Sequence, residues 1–434
     1  MKFLFVHQNY PAQFLHIVRR LLKQGEHDVV FICEPNSNII SGVRRVTYEA
    51  HKRPGPPTHK DARDFALAMA RAEAVAKAAK QVRTLGFTPD IIIGHHGWGE
   101  LLNLGDVFPG VPLLGYQEYF YALTGQDVGF DPEFKVDIES NSNIRAMNAV
   151  NLLTLTNPGF GQTPTHFQWN TYPAWARPNI TLLQEGVNLD ICRPLRPKRA
   201  TTIAGIPIGA KEKLVTYVAR DLEPYRGFHQ VMRSLPAILR ARPDARVVLV
   251  GGDGASYGSR LAGTTWREHQ VAELGKTLDL SRVHFPGRLD YDSYVRLLQR
   301  SDAHVYFTYP FVASWSLREA LACGCALVCS DTAPVQEFVT HGETGLLTPF
   351  FDPGALADRV VETLEAGPDV LERRSNARLW AEQNLDMGGY LDRYEALIAK
   401  IAGRPIQEPR ATRTPAKVAA SRGKPAATRR RSGG

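Results

Sequence analysis

The sequence lacks the features that mark several large classes of protein. Its 434 residues contain no apolar run near the roughly 18 residues that a membrane-spanning helix requires. Neither HExxH nor a P-loop occurs, so P-loop phosphotransfer has no support. The opening KFLFVH is too short and too soon polar for a signal peptide. These absences favour a cytoplasmic protein.

Cysteine is scarce. Five cysteines are an odd number and no CxxC pair occurs, so neither a disulfide framework nor a zinc site is predicted. We expect buried free thiols in a reducing compartment. The cysteines are Cys33, Cys192, Cys323, Cys325 and Cys329.

The body of the chain has no excess of charge of either sign. The net charge is +8, but the segment from Arg404 to Gly434 holds nine basic residues and one acid, and the rest holds 43 of each. A neutral body with a basic tail is not the electrostatic footprint of a nucleic-acid-binding fold, so no specific nucleic-acid partner is predicted. The tail has almost no large apolar side chains and is predicted to be disordered. Either it contacts the anionic inner face of a membrane or it is a solubilising extension.

Apolar strands alternate with amphipathic helices, which predicts parallel sheets in an α/β protein. The pattern restarts after a segment rich in Pro, Lys and Arg, and so predicts two Rossmann-like, doubly wound domains facing a central cleft. The predicted units are 1–195, 196–386, a C-terminal helix over 387–402 and the tail over 403–434. The predicted strands are 2–7, 27–33, 90–96, 111–117, 151–157, 179–187, 213–220, 245–254, 283–289, 304–310 and 325–330. The predicted helices include 13–24, 61–85 and 387–401, with others beginning near Tyr291, Ser316 and Pro334.

Two arginines follow the first strand of the second unit. In VARDLEPYRGF, Arg220 ends the strand and Arg226 follows in a turn, so both are expected at the cleft edge of the sheet. Two fixed positive charges suit a diphosphate whose charge grows as it leaves. The alternative is that both are solvated surface side chains.

The segment from Tyr309 to Pro353 is the most informative part of the chain. Its pattern predicts a helix with Glu319 among apolar neighbours, where a carboxylate is costly to bury unless it is hydrogen-bonded. With LREALACG, the segment resembles the nucleotide-sugar site of retaining glycosyltransferases of family 4, which have the GT-B fold. The resemblance implies that Glu319 accepts hydrogen bonds from the ribose hydroxyls. A salt bridge to a neighbouring arginine is the alternative.

The same resemblance implies roles for other donor-site residues. Arg220 matches the Arg of the family's GR…KG segment and Arg226 takes the place of its Lys, so both would stabilise the departing diphosphate. The further donor-binding positions that it implies are the backbone amides of Ser314, Trp315 and Ser316 at the start of a helix, the loop residues Gly252 and Gly254, and the backbone at Gly287 and Arg288.

One position departs from the family's pattern. The family has two glutamates eight positions apart, and the earlier one, which contacts the donor sugar, is Phe311 here. Another polar group then does its work, or the donor differs, or activity is lost. YPFVASWSLREA is itself a coherent pattern that resembles one bacterial subgroup of the family, which favours an active variant.

Two other signals are weak. The loop GGDGASYG over 251–258 hints at dinucleotide binding, but its spacing is not GxGxxG. Asp290 and Asp292 imitate the DXD metal motif, but Asp290 is better explained as a helix N-cap. No metal or cofactor is therefore predicted.

Polar and aromatic residues follow two strands of the first unit. GHHGWGE places His95 and His96 at a strand end, and the resemblance implies that a His here contacts the transferred sugar or the acceptor. We assign His95 to catalysis and His96 to the acceptor. Glu118 and Tyr119 follow the next strand, and aromatics beside an acid suit a carbohydrate acceptor. Core histidines and core aromatics are the alternatives.

The resemblance to family 4 implies a retaining, metal-independent hexosyltransferase that uses a nucleotide diphosphate sugar. Its acceptor is unknown, and a role in cell-surface polysaccharide synthesis is expected from the resemblance. The alternatives are a sugar-nucleotide epimerase of GT-B type and a non-catalytic sugar-nucleotide-binding protein.

Overall fold

Two parallel sheets form the framework of the protein. The computed structural model describes residues 1–49, 51–134, 140–157, 159–195 and 200–406. The first sheet has the strand order β3-β2-β1-β4-β5-β6-β7. Its strands are β1 (Lys2–Val6), β2 (Asp28–Cys33), β3 (Val43–Thr47), β4 (Ile91–His95), β5 (Leu113–Tyr116), β6 (Phe160–Thr163) and β7 (Ile180–Leu182).

A second sheet follows after a short antiparallel hairpin, β8 (Thr201–Ile203) and β9 (Ile206–Ile208). Its strand order is β12-β11-β10-β13-β14-β15, and all neighbouring strands are parallel. The strands are β10 (Lys213–Asp221), β11 (Ala245–Gly252), β12 (Val283–Gly287), β13 (Ala303–Tyr306), β14 (Leu327–Ser330) and β15 (Leu346–Thr348).

Helices cover both faces of each sheet. On β1, Phe3 and Phe5 pack with helices α1 (Leu15–Gln24) and α13 (Met387–Ala402), whereas Leu4 and Val6 pack with α2 (Arg63–Thr84) on the opposite face. This alternation follows from the two-residue period of a strand. The helices are α1 (Leu15–Gln24), α2 (Arg63–Thr84), α3 (Leu104–Val107), α4 (Ser140–Thr156), α5 (His166–Thr171), α6 (Phe228–Ala241), α7 (Trp266–Leu274), α8 (Tyr291–Arg300), α9 (Trp315–Ala322), α10 (Ala333–Gln336), α11 (Pro353–Leu364), α12 (Pro368–Asn384) and α13 (Met387–Ala402).

The predicted fold class is confirmed: two doubly wound α/β domains face a cleft. In each sheet the first strand lies between the second strand and a later one, β4 for β1 and β13 for β10. Such a reversal of strand order opens a crevice at the carboxyl ends of the strands, where these folds bind ligands.

The predicted strand over 151–157 is wrong, because residues 151–156 form the end of α4 (Ser140–Thr156). Helical spacing places Asn148 and Asn151 on one side of α4, where their amide groups donate to the backbone oxygens of Tyr121 and Tyr119 at 2.7 and 3.0 Å. Leu152 on the same helix is 42% exposed. The polar side chains, rather than the leucines, therefore face the protein.

The last helix returns to the first domain. The predicted helix over 387–401 is present as α13, but its apolar face packs against the first sheet, where Tyr394 and Ile398 join the core around Phe3 and Phe5. Arg20 of α1 pairs with Glu395 of α13 at 3.1 Å. The chain therefore crosses between the domains a second time before it reaches the tail.

Two further features bear on the sequence predictions. All five cysteines lie in the described ranges, where they are buried and form no disulfide. Within the described residues, no helix has the length and apolar character to cross a bilayer. Most of the predicted basic tail, from residue 407 onward, lies outside the described residues.

We expect α13 to be part of the first domain's core. Ile398 is fully buried, so Ile398→Ala should lower the free energy of unfolding by about 2–5 kcal/mol, through lost burial and the cavity left behind. Leu379→Ala on α12 is the control, because Leu379 is 51% exposed. Urea unfolding measures both variants, and equal, small effects would contradict this placement of α13.

Candidate active site

A pocket opens where the carboxyl ends of the two sheets meet. Glu185, which follows β7 and is 6% exposed, connects the domains. It accepts hydrogen bonds from the Tyr116 hydroxyl of the first domain at 3.1 Å and from Trp315 Nε1 of the second at 2.7 Å. The pocket has a volume of about 50 Å³ and is open to solvent. Its lining residues include Gln13, His16, Glu185, Asn188, Tyr291, Trp315, Arg318, Glu319, Met387 and Tyr390.

Glu319 presents a carboxylate to this pocket from α9. The hydroxyls of Tyr291 and Tyr294, one turn apart on α8, donate to its two oxygens at 2.8 and 2.7 Å. Burial raises the pKa of Glu319, and the two tyrosine hydrogen bonds oppose that rise. Its hydrogen-bond partners are tyrosines and not the arginine that the alternative interpretation required. This carboxylate is held in a fixed orientation with both oxygens aimed at hydroxyl groups.

The two predicted diphosphate-binding arginines differ in their surroundings. Arg220 is exposed at the end of β10. Arg226 is 7% exposed: its Nη1 donates to Thr308 Oγ1 and to the Val312 carbonyl, both at 2.8 Å, and its guanidinium lies 5.0 Å from the Tyr257 ring centroid. Arg226 thus adds a fixed positive charge, whereas Arg220 is free to contact a ligand.

The glycine-rich loop is braced from within the protein. The buried Glu223 carboxylate accepts hydrogen bonds from the backbone amides of Ser256, Tyr257 and Gly258. A dinucleotide phosphate would need such amides, so the geometry gives no support to dinucleotide binding here. Residues 254–258 also match the hydrolase pattern GxSxG by letter. Ser256, however, donates to Asp221 Oδ2 at 2.5 Å and not to a histidine.

The other predicted donor-side residues surround Asp221 and the start of α9. A Cβ at Gly252 would lie 2.5 Å from Asp221 Oδ1, so a larger residue there would displace the Asp221 carboxylate. Arg288 pairs with the same oxygen at 2.7 Å and follows Gly287, whose φ of +75° favours glycine. At the start of α9, the Ser314 amide donates to the Tyr306 hydroxyl at 2.8 Å. Ser314 Oγ lies 2.6 Å from Ser316 Oγ, and Trp315 is 48% exposed beside the pocket. Asp290 caps α8 by accepting from the Ser293 amide, as predicted.

Phe311 lies inside an aromatic cluster rather than at an open surface. It is 4% exposed, and its ring centroid is 4.6 Å from that of Tyr119, 4.9 Å from Tyr257 and 5.7 Å from Tyr225. An unpaired carboxylate would be costly in this apolar environment. The residues around position 311 therefore suit a phenylalanine and would not suit the glutamate of the family pattern.

That environment is completed by residues 117–134, here called the bridging loop, which extends from the first domain onto the second. The Tyr119 hydroxyl bonds Asp127 and the Pro310 carbonyl at 3.0 and 3.1 Å. Asp131 accepts from the Tyr309 hydroxyl at 2.5 Å and lies 3.0 Å from His229 Nε2. Burial opposes ionisation of Asp131, but the hydrogen bonds from His229 and Tyr309 outweigh it and lower its pKa.

Asp131, Glu133 and His229 have the spacing of a metal-ligand set in the part of the chain that the structure describes. Both oxygens of Glu133 are, however, paired with the Arg233 guanidinium at 2.5 and 2.9 Å. The cluster is therefore better described as a polar clamp between the domains.

On the first-domain side, His95 and Glu118 form a pair at the ends of β4 and β5. His95 Nε2 lies 3.3 Å from Glu118 Oε2, and the His95 ring stacks on Trp98 at 5.6 Å. The Glu118 side chain is 34% exposed. Burial disfavours its ionisation, but His95, Arg220 and Arg226 outweigh burial and lower its pKa. The structure thus brings Glu118 and both arginines to one region of the cleft.

His96 and Tyr119 have different positions. His96 is 2% exposed, with Nδ1 2.6 Å from Gln117 Nε2 and Nε2 2.6 Å from Thr154 Oγ1. Tyr119 is 4% exposed beneath the bridging loop. Both positions favour the core roles that the sequence left open over contact with an acceptor.

Several pocket residues had no sequence signal. Glu185, Tyr291 and Tyr294 approach α9 from other elements, and only the fold brings them together. Among the described residues, Gln13 Nε2 and Arg318 Nη2 are buried at this pocket without a hydrogen-bond partner, and Arg318 Nη2 lies 3.8 Å from Glu185 Oε2. Such groups favour a polar ligand.

Family comparisons agree with this architecture. Residues 25–192 match the family model Glycosyl transferase family 4 group, and residues 198–380 match Glycosyl transferases group 1. The two matches lie side by side and correspond to the two domains. By fold the chain is a two-domain protein of GT-B type, and each of its domains matches a glycosyl transferase family model.

Individual relatives are distant. The D-inositol 3-phosphate glycosyltransferase of Mycolicibacterium smegmatis is 26% identical over 250 residues, 55% of each chain. The phosphatidyl-myo-inositol mannosyltransferase of Mycobacterium leprae is 28% identical over 198 residues, 44% of this chain and 46% of the relative. The chain thus matches about half the length of these curated relatives.

Solved structures share the fold over nearly the whole chain. Sucrose-phosphate synthase from Thermosynechococcus elongatus has a TM-score of 0.70 at 19% identity, covering 93% of this chain and 99% of its own. Anabaena HepE in complex with UDP-glucose has a TM-score of 0.64 at 17% identity, covering 92% and 100%.

Within the polar clamp, the buried contacts of Asp131 should contribute most to the free energy of unfolding. Asp131→Asn removes the buried carboxylate that accepts from Tyr309 and faces His229, and leaving a buried polar group without its partner costs about 1–3 kcal/mol. Glu133→Gln is the matched control, because the Glu133 ion pair is more exposed and contributes about 0–1 kcal/mol. Denaturant unfolding at pH 7 compares the two, and equal losses would argue against the buried clamp.

Acid should destabilise the protein through His96. Burial lowers the pKa of His96 from 6.5 to about 3, so the unfolded chain binds a proton below pH 6.5 that the folded chain does not. The contribution of neutral His96 to the free energy of unfolding is therefore lost as pH falls from 6.5 toward 3. Between pH 7 and pH 5, the free energy of unfolding should fall by about 2 kcal/mol less in His96→Gln than in the parent protein. Urea unfolding at both pH values measures this, and parallel losses would reject the assignment.

Proposed function

We propose that the protein is a retaining, metal-independent hexosyltransferase that uses a nucleotide diphosphate sugar and works in the cytoplasm. The observation that favours this most is the pocket between the domains, where two tyrosine hydroxyls hold Glu319. Outside the lining of this pocket, Arg220 lies at the end of β10 and Arg226 in the turn that follows. The fold shared with HepE, solved with UDP-glucose, supports the same donor class.

In this proposal the ribose binds at Glu319. A carboxylate with both oxygens directed at hydroxyl groups suits a vicinal diol, and the ribose would replace or share the hydrogen bonds of Tyr291 and Tyr294. The hydrogen bonds of a charged group contribute about 1.5–3 kcal/mol each. Glu319 therefore determines affinity for the nucleotide more than the rate of transfer.

The diphosphate binds toward the arginines. Negative charge grows on the diphosphate as the glycosidic bond breaks, and the exposed side chain of Arg220 can meet it. Arg226 is fixed by Thr308 and Val312, so its charge is in place before the reaction. Two arginines provide charge stabilisation of the kind that a divalent cation provides in other transferases.

A second candidate function is non-catalytic binding of a nucleotide sugar, which the aromatic surroundings of Phe311 favour. A sugar-nucleotide epimerase is the third, since a putative UDP-N-acetylglucosamine 2-epimerase from Listeria monocytogenes shares the fold with a TM-score of 0.57. Incubation with each nucleotide sugar, with and without a mixture of acceptors, separates these functions. Transfer requires acceptor, epimerisation yields a new nucleotide sugar without one, and a binder yields neither product.

The ribose assignment predicts a defined binding defect. A screen of UDP, GDP and ADP by thermal shift should find one that stabilises the protein by about 2.7 kcal/mol at one hundred times its Kd. Glu319→Gln should weaken that nucleotide by about 10–100-fold, because a charge-assisted hydrogen bond is lost. Glu372→Gln, an exposed carboxylate on α12, should leave binding unchanged.

The 2′-deoxy form of the same nucleotide makes this test sharper. It should bind the parent more weakly, and Glu319→Gln should weaken it little further, since the group that Glu319 contacts is missing. If Glu319→Gln weakens the ribose and deoxyribose forms equally, Glu319 does not bind the ribose. If none of the three nucleotides binds the parent protein, the proposed function fails.

A further inference from the structure

Glu118 differs from the other carboxylates around the cleft. Its Oε2 lies 3.3 Å from His95 Nε2, whereas the hydrogen bonds of the described residues include none to its Oε1. The side chain is 34% exposed, so that oxygen is accessible to a ligand. Four other carboxylates around the cleft have protein donors on both oxygens. They are Glu319 with Tyr291 and Tyr294, Glu185 with Tyr116 and Trp315, Asp127 with Tyr119 and Tyr225, and Asp221 with Arg288 and Ser256.

The structure fixes the direction of the Glu118–His95 hydrogen bond. The Gly97 amide donates to His95 Nδ1 at 3.1 Å, so that nitrogen bears no proton. Nε2 must then carry the ring proton and donate it to Glu118 Oε2. The Trp98 ring, stacked on His95 at 5.6 Å, holds the imidazole plane. His95 is therefore a positioning residue that orients Glu118, and neither of its nitrogens is free to act as a base.

The charges that face Glu118 come from the opposite domain. Burial raises the pKa of its carboxyl, but the hydrogen bond with His95, and after it the charges of Arg220 and Arg226 on the second domain, lower that pKa by more. A negative group opposite two cations would repel a diphosphate bound to those cations. The Glu118 carboxylate would attract a positive charge that develops between itself and the two arginines. In glycosyl transfer that charge develops on the anomeric carbon.

We propose that Glu118 contacts the transferred glycosyl group. Its free oxygen accepts a hydrogen bond from a sugar hydroxyl, and its charge stabilises the oxocarbenium-like transition state. It thereby provides, from the opposite domain, a carboxylate that the second domain lacks at Phe311. This inference rests on the proposed function.

Glu118 forms no covalent bond in this scheme. The C1–O bond to the diphosphate breaks with its electron pair moving to the diphosphate, and a new C1–O bond forms to the acceptor hydroxyl. The proton of that hydroxyl passes to the departing phosphate oxygen. Glu118 acts by hydrogen bonding and charge alone, which distinguishes it from a nucleophile and from a base that serves the acceptor.

The test compares a nucleotide with its sugar conjugate. Calorimetry on the full chain measures binding of UDP and UDP-glucose, or of GDP and GDP-mannose, whichever pair the parent binds. Glu118→Gln should leave Kd for the free nucleotide within twofold of the parent and raise Kd for the nucleotide sugar about tenfold. Transfer or hydrolysis of the donor should fall by about 10²–10³-fold, as when other preorganised electrostatic groups are removed.

Two controls keep the result interpretable. Glu372→Gln, an exposed carboxylate on α12, should change none of these values. Glu118→Asp retains the charge with a shorter side chain and should recover part of the rate. If the melting temperature shows that Glu118→Gln does not fold, Glu118→Asp serves as the test variant in its place.

Two outcomes would overturn the inference while leaving the proposed function intact. One is a variant that binds and turns over the nucleotide sugar as the parent does. The other is a variant that raises only the KM for the acceptor, which would assign Glu118 to the acceptor instead. A parent protein that binds neither the nucleotides nor their sugar conjugates would reject the proposed function and, with it, this role for Glu118.

Discussion

The site depends on buried carboxylates that hold the two domains together. Glu185 accepts one hydrogen bond from each domain, through Tyr116 and Trp315. Asp131 extends from the first domain to Tyr309 and His229 of the second. Buried carboxylates are costly unless their partners are in place, so these contacts form only in one relative position of the domains. That position brings the carboxyl ends of the two sheets close enough to share a ligand.

The bridging loop links this constraint to the chemistry. Tyr119 of this loop packs on Phe311, which stands at the position where the family pattern has a glutamate. The neighbouring Glu118 points instead toward His95 and the arginines of the opposite domain. One segment thus excludes water from position 311 and brings another carboxylate to the cleft. With Phe311 in place of a glutamate and Glu118 at the cleft, the negative charge is present at a different position instead of being lost.

Local patterns were enough to predict much of the fold and part of the site. The alternation of strands and helices is repeated in each half, so the two doubly wound domains follow from sequence periodicity alone. The error over 151–157 arose because Asn148 and Asn151 satisfy backbone groups of the bridging loop, a tertiary demand that periodicity does not reveal. The return of α13 to the first domain and the convergence of Glu185, Tyr291 and Tyr294 on α9 are also long-range contacts. No window of sequence contains both partners of such contacts.

The central claim is that one nucleotide sugar spans the cleft between Glu319 and Glu118. A crystal structure of the full chain with a bound, non-hydrolysable nucleotide sugar tests it most directly. The account predicts the ribose hydroxyls within hydrogen-bond distance of Glu319, the diphosphate at Arg220, and a sugar hydroxyl at Glu118 Oε1. A nucleotide bound along the glycine-rich loop, or a sugar directed away from Glu118 and toward the aromatic cluster at Phe311, would contradict it.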